Sequence, residues 1–180
     1  MSVKTISAEY ISNHPYFTAR KDKYETPAGL VVEEYFVVEM PDSACAMAIT
    51  AEGFFVLVNQ YRHPIRQMSL ELPGGFVDSN EPKEKAIVRE LLEETGYAFS
   101  QIICLGKTYS NPGVLNNATH LFLATGGVKV ASQLLDENEE IELVLKTKEE
   151  VETLLANGAF LQSMHELCLM KGLKKLKFEG

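Results

Sequence analysis

From residue 30 onward the chain alternates short apolar blocks with polar, turn-rich breaks, and the period of each block predicts its structure. The segment LVVEEYFVVEM (30–40) is β-branched and aromatic, and AMAIT (46–50) and FFVLVNQYR (54–62) follow after turns at Pro41-Asp42 and Glu52-Gly53. All three read as strands. IICLGKTYS (102–110) and ATHLFLATG (118–126) read as extended on either side of the turn-like NPGVLNN, and IELVLKT (141–147) adds another strand. Two helices close the chain. Thr147 with Glu150 makes a capping box before KEEVETLLA, stopped by Asn157-Gly158, and Ser163 with Glu166 repeats the signature before HELCLMKGLKK.

Between the two groups of strands lies a helix expected over 82–95. Pro82 suits its first turn, where no hydrogen-bond donor is needed, and Gly96 suits the left-handed position just past its end. At 100° per residue Ile87, Val88, Leu91, Leu92 and Thr95 share one face, which should be the core face. Glu90 and Glu94 share another. Ala86, one turn before Glu90, leaves room on that acid face, and Arg89 lies where it can hold the neighbouring Glu93 in one orientation. Strands around one central helix, ending in helices, suggest a layered α/β or α+β sandwich, and the absence of repeats or linker-like stretches suggests one domain over 1–180.

Charge changes the picture. With 17 Lys and Arg against 25 Asp and Glu, the formal net charge is −8, so carboxylates crowded on one helix are either a solvated face or a cation site. The Gly74-Gly75 pair lets the backbone come close and offer a carbonyl oxygen, and two glutamates at i and i+4 plus a carbonyl suit Mg²⁺ or Mn²⁺. Such a cation would let an acidic protein take an anionic phosphate substrate. An acidic chain without a Lys/Arg block is a poor nucleic-acid binder. No apolar run reaches the roughly 20 residues of a membrane helix and MSVKTISAEY is no signal peptide, so a cytoplasmic protein is expected, with Cys45, Cys104 and Cys168 as buried free thiols.

Gly75, Glu81 and the run Arg89-Glu90-Leu91-Leu92-Glu93-Glu94-Thr95-Gly96-Tyr97 resemble the Nudix box at every fixed position, Tyr97 standing where an aliphatic residue is commoner. NQYRHPI (59–65), LELPGG (70–75) and NPG (111–113), with Pro112 16 residues after Gly96, resemble segments of ADP-ribose pyrophosphatases and their nucleoside-diphosphate-sugar relatives. The resemblance implies an α/β/α sandwich with a mixed sheet, preceded by N-terminal antiparallel strands. It implies residues 1–42 used in homodimerisation, a core over 43–180, and hydrolysis of a nucleoside diphosphate sugar.

Position by position, it implies metal ligands at Glu90, Glu94, the Gly74 carbonyl and Glu139, with Glu93 and Arg89 beside them. Glu137 would be the general base, with Glu140 as a substitute. Arg62, Phe76, Pro112 and Gly113 would bind substrate. Gly74 replaces the usual alanine, and Asn116-Asn117 stand where an acidic residue is common. Tyr16, Phe17, Tyr35 and Phe36 could stack on a base, although aromatics near strands are more often core. A triphosphate-cleaning hydrolase and a non-catalytic ADP-ribose sensor are the alternatives. The intact box and the lack of an added basic domain weigh against the sensor, and QYR and NPG against the triphosphate hydrolase.

Overall fold

Alanine alternates with larger side chains along strand β4 (Ser43–Thr50), and the two sets face different layers. Ala44, Ala46 and Ala48 pack with Val56, Ile87, Leu91 and Phe122, whereas Cys45 and Met47 pack with Leu57, Leu121, Cys168 and Leu169. The small side chains let a helix lie close on one face; the larger ones fill the other. This is a computed structural model, which describes residues 3–14 and 17–179. Its contacts divide the chain into two compact units, 1–41 with 109–118, and 42–108 with 119–180.

The second unit is built on a mixed sheet. β11 (Ile141–Lys146), β5 (Phe55–Arg62), β4, β10 (Thr119–Lys129) and β8 (Tyr97–Ala98) run in that order; β6 (Gln67–Glu71) also pairs with β5, β7 (Gly74–Phe76) with β4, and β9 (Gln101–Thr108) with β10. Strands β4 and β10 are parallel and the other pairs antiparallel. Helix α1 (Lys83–Thr95) covers the alanine face, while α2 (Lys148–Ala156) and α3 (Ser163–Glu179) cover the other. The result is the expected α/β/α sandwich.

In the first unit β1 (Lys4–His14), β2 (Phe17–Glu25) and β3 (Val31–Glu39) form an antiparallel sheet. Arg20 pairs with Asp22 on its own strand and with Glu39 on β3. Segment 109–118 is fastened to the end of β3: the Val38 N–H donates to Val114 O at 2.9 Å, Asn116 Oδ1 accepts from the Met40 N–H at 3.0 Å, and Asn117 Nδ2 donates to Pro41 O at 3.0 Å. The two asparagines therefore hold main chain, which gives them a structural reason to stand where acids are common.

The faces of α1 and the exposure of several side chains differ from what the sequence predicts. Val88 and Leu92 are exposed, whereas Glu94, placed on a separate acid face, is buried with Ala86, Ile87, Leu91 and Thr95. Cys104 is exposed, because it lies on β9, which no helix fully covers; Cys45 and Cys168 are buried. Thr147 and Glu150 do form a capping box. Ser163, in contrast, is already helical: the N–H groups of His165 and Glu166 donate to Gln162 O. Phe17, Tyr35 and Phe36 are exposed rather than core, and Tyr16 lies outside the described residues.

Candidate active site

Helix α1 begins after Pro82, whose carbonyl accepts from Lys85 and Ala86, and ends at Gly96, left-handed at φ 70°. Ala86 and Leu91 press the helix onto β4, which brings its Glu94 edge against the β7 turn. There Glu94, 5% exposed, accepts the Gly74 N–H on Oε2 at 2.8 Å. Burial, only partly offset by that N–H, pushes its carboxyl up to about 8. Burial likewise raises Glu90, against the pull of Arg89.

Gly75 faces Glu90. A Cβ there would fall 2.7 Å from all three carboxylate atoms, so only glycine leaves the Glu90 carboxylate its place. Arg89 gathers the remaining acids. Its Nε and Nη2 bind both oxygens of Glu81 at 3.2 and 3.1 Å, its Nη1 binds Glu90 at 2.9 Å and Glu93 at 3.0 Å, and Nη2 also donates to Phe76 O at 3.1 Å. The bidentate partner is thus Glu81, while Glu90 and Glu93 each take a single bond from Nη1. This guanidinium is raised, first by Glu81, and in turn holds Glu81 below the ordinary carboxylate range.

Arg62, at the end of β5, is clamped from behind. Its Nε donates to Glu71 Oε1 at 2.8 Å and Nη2 to Oε2 at 2.5 Å, and Glu71 is 1% exposed. Burial works to raise Glu71, yet the guanidinium outweighs it and holds the carboxyl below its usual range. Arg62 remains half-exposed, with Nη1 unused in this clamp. It also senses the charges of Glu94 and Glu139, and Glu139 acts on Glu90 and Glu94 in turn. Glu90, Glu94, Glu139 and Arg62 therefore share one electrostatic neighbourhood.

Loop 130–140 carries Glu137, Glu139 and Glu140, all exposed. Within it Glu139 Oε2 accepts the Asp136 N–H at 3.1 Å. Phe76 is exposed at the end of β7; Pro112 and Gly113 belong to the first unit, where Gly113 O accepts the Tyr35 hydroxyl at 2.8 Å. Among the described residues no three His, Cys, Asp or Glu side chains form a ready metal cage, because Glu90 turns to Arg89 and Glu94 to Gly74. The fit to a hard cation rests instead on the oxygen donors, on two carboxyls that burial raises, and on the cradle at Gly75. Sequence reasoning gave no role to Glu71 or Gln133. Glu71 sat in view inside LELPGG, but pairing with Arg62 nine positions earlier depends on β5 and β6 lying side by side.

A NUDIX domain family model matches residues 40–165. The chain is 31% identical over 148 residues to the ADP-ribose pyrophosphatase of Bacillus subtilis (strain 168), covering 82% of this chain and 80% of that relative. With the same coverage it is 33% identical to the methanol dehydrogenase activator of Bacillus methanolicus. The crystal structure of an ADP compounds hydrolase superposes with a TM-score of 0.86 at 20% identity, covering 100% of this chain and 97% of the other, a likeness of fold.

Proposed function

The chain belongs to the NUDIX domain family, and we propose that within it the protein hydrolyses the diphosphate bond of ADP-ribose or a related nucleoside diphosphate sugar to a nucleoside monophosphate and a sugar phosphate. The observation that carries this reading is the meeting of buried Glu94 and half-buried Glu90, both raised by burial, with an arginine locked from behind. That pairing suits a diphosphate, which needs both a cation and a fixed donor. Glu90, Glu94, a Gly74 main-chain oxygen and Glu139 would hold Mg²⁺, with Mn²⁺ as a substitute. Bound there, the ion supplies the positive charge that lets a nucleophile approach a diphosphate.

The chain's own groups do the rest. Arg62, aligned by Glu71, donates to the diphosphate oxygens and orients them for in-line attack. Glu137 accepts the proton of the attacking water, with Glu140 as the nearest substitute. Arg89 keeps Glu93 beside the ligands, and Phe76 lies at the substrate edge of β7. The exposed Ile6, Tyr10, Ile11 and Phe36 of the first unit support a homodimer formed through the N-terminal strands. Among the described residues no helix is long and apolar enough to cross a membrane, and the free thiols support a cytoplasmic setting.

A substrate panel tests the reading. Phosphate release would be measured with and without added phosphatase over ADP-ribose, GDP-mannose, UDP-glucose, dinucleotides and triphosphates. Release that needs the phosphatase, and is fastest for a diphosphate sugar, is expected. Faster cleavage of triphosphates would replace this function with the cleaning of nucleotide pools; no cleavage of any would leave the sensor.

A further inference from the structure

Loop 130–140 and its flank are tied to the end of α1 through every carbonyl from Glu93 to Gly96. The Leu134 N–H donates to Glu93 O at 2.8 Å, Gln133 Nε2 to Glu94 O at 2.7 Å, and Lys129 Nζ to Thr95 O at 2.7 Å. The N–H groups of Val130 and Ala131 donate to Gly96 O at 2.9 and 3.1 Å. The last carbonyls of a helix have no partner within it, so α1 offers a row of acceptors, and the loop fills it. The approach is close: a Cβ on Gly96 would fall 2.2 Å from Ala131 O.

Gln133 differs from the other donors. The same Nε2 also donates to Ile141 O at 3.1 Å, at the first residue of β11. A carboxamide nitrogen has two N–H donors and both partners are carbonyls, so its orientation is fixed; the flipped amide would set oxygen against two oxygens. One side-chain nitrogen thus joins both ends of segment 134–140 and pins them to the main chain of Glu94. Between those ends the Glu139 N–H donates to Asp136 O at 3.0 Å, closing a turn around Glu137.

We propose that Gln133 is a positioning residue, which by spanning Glu94 and Ile141 holds Glu137 and Glu139 in register with the carboxylates of α1. The catalytic part rests on the function proposed above; the clasp itself does not. Its effect follows from geometry, because a free seven-residue loop samples many conformations, and a displacement of about 1 Å costs roughly 10²-fold in rate. No other side chain among the described residues bridges the two ends.

The test combines amide hydrogen exchange by NMR on the substrate-free protein with steady-state kinetics on ADP-ribose at saturating Mg²⁺. The proteins compared are the wild type, Gln133→Met, which keeps length without donors, and Gln133→Lys, which returns donors. In Gln133→Met the Leu134 and Glu139 amides should exchange about tenfold faster while those of Val130 and Ala131 stay unchanged. Its kcat should fall about tenfold with KM moving less than about threefold, and Gln133→Lys should recover part of the kcat. Unchanged exchange at Leu134 and Glu139 overturns the clasp. Faster exchange with unchanged kcat overturns the positioning role. A wild type that cleaves no diphosphate sugar sinks the proposed function instead, and the exchange comparison still decides the clasp.

Discussion

Glu94 and His165 show what burial does to single groups on the two sides of the sheet. Glu94 was legible as a candidate ligand from its spacing to Glu90, but not as a buried one, since pattern reading assigns carboxylates to solvent. His165 on α3 carried no signal in sequence. It is buried, its Nδ1 accepts the Leu72 N–H at 3.3 Å, and burial lowers it from 6.5 to about 4, so the folded ring is neutral with its proton on Nε2. A histidine depressed in the fold binds its proton more readily when unfolded, so stability is full above the unfolded value and is lost as pH falls from 6.5 towards 4. His165→Asn keeps an acceptor near Nδ1 and removes the titration. Thermal melts should show the wild type losing on the order of 3 kcal/mol relative to His165→Asn between pH 7 and pH 4. Parallel curves would mean that the ring is not held neutral.

Elements marked by their own residues are legible without any resemblance, whereas the N-terminal antiparallel strands before β3 are expected from the resemblance alone. Strands β3, β4, β5, β9, β10 and β11 and helices α1 and α2 carry β-branched runs, caps or stops that mark them. β1 is exposed almost throughout, so it has no core-facing period to detect, and β6, β7 and β8 are too short to show one. Within α1 the pattern put Val88 and Leu92 inwards because hydrophobicity alone sets that count; the sheet chose the arc containing Ala86 and Glu94, where a small residue permits close approach. Strand β7 explains the glycine at 74. Its φ is 150°, and a Cβ there would fall 2.1 Å from Ala44 O on β4. Restoring the family's commoner residue with Gly74→Ala should therefore cost stability, by about 1–3 kcal/mol, and should displace the N–H that holds Glu94. A melting temperature and Mg²⁺ response equal to wild type would show that β7 tolerates an ordinary backbone there.

At the scale of the whole molecule, the fold class and the family were legible because the box motif and the strand pattern agree. The division of contacts was not: 109–118 joins 1–41 through hydrogen bonds to β3 that no local sequence signal announces. The exposed apolar side chains of β1 to β3 predict that sedimentation at micromolar concentration gives twice the 20.1 kDa chain mass, and a monomer would count against the homodimer. The net charge of −8 sets the larger problem, since such a surface repels a diphosphate unless a cation intervenes. The measurement that bears most directly on this is ADP-ribose cleavage by metal-stripped protein titrated with Mg²⁺, with Glu94→Gln run beside the wild type and AMP and ribose 5-phosphate quantified. Gln keeps the acceptor for Gly74 N–H but cannot ionise to meet the cation. No products are expected without metal, equal amounts of the two products with it, and a loss of about 10²-fold or more in Glu94→Gln with its fold intact. Cleavage in chelator, or a Glu94→Gln protein as active as the wild type at saturating Mg²⁺, would contradict cleavage through a cation held by Glu94.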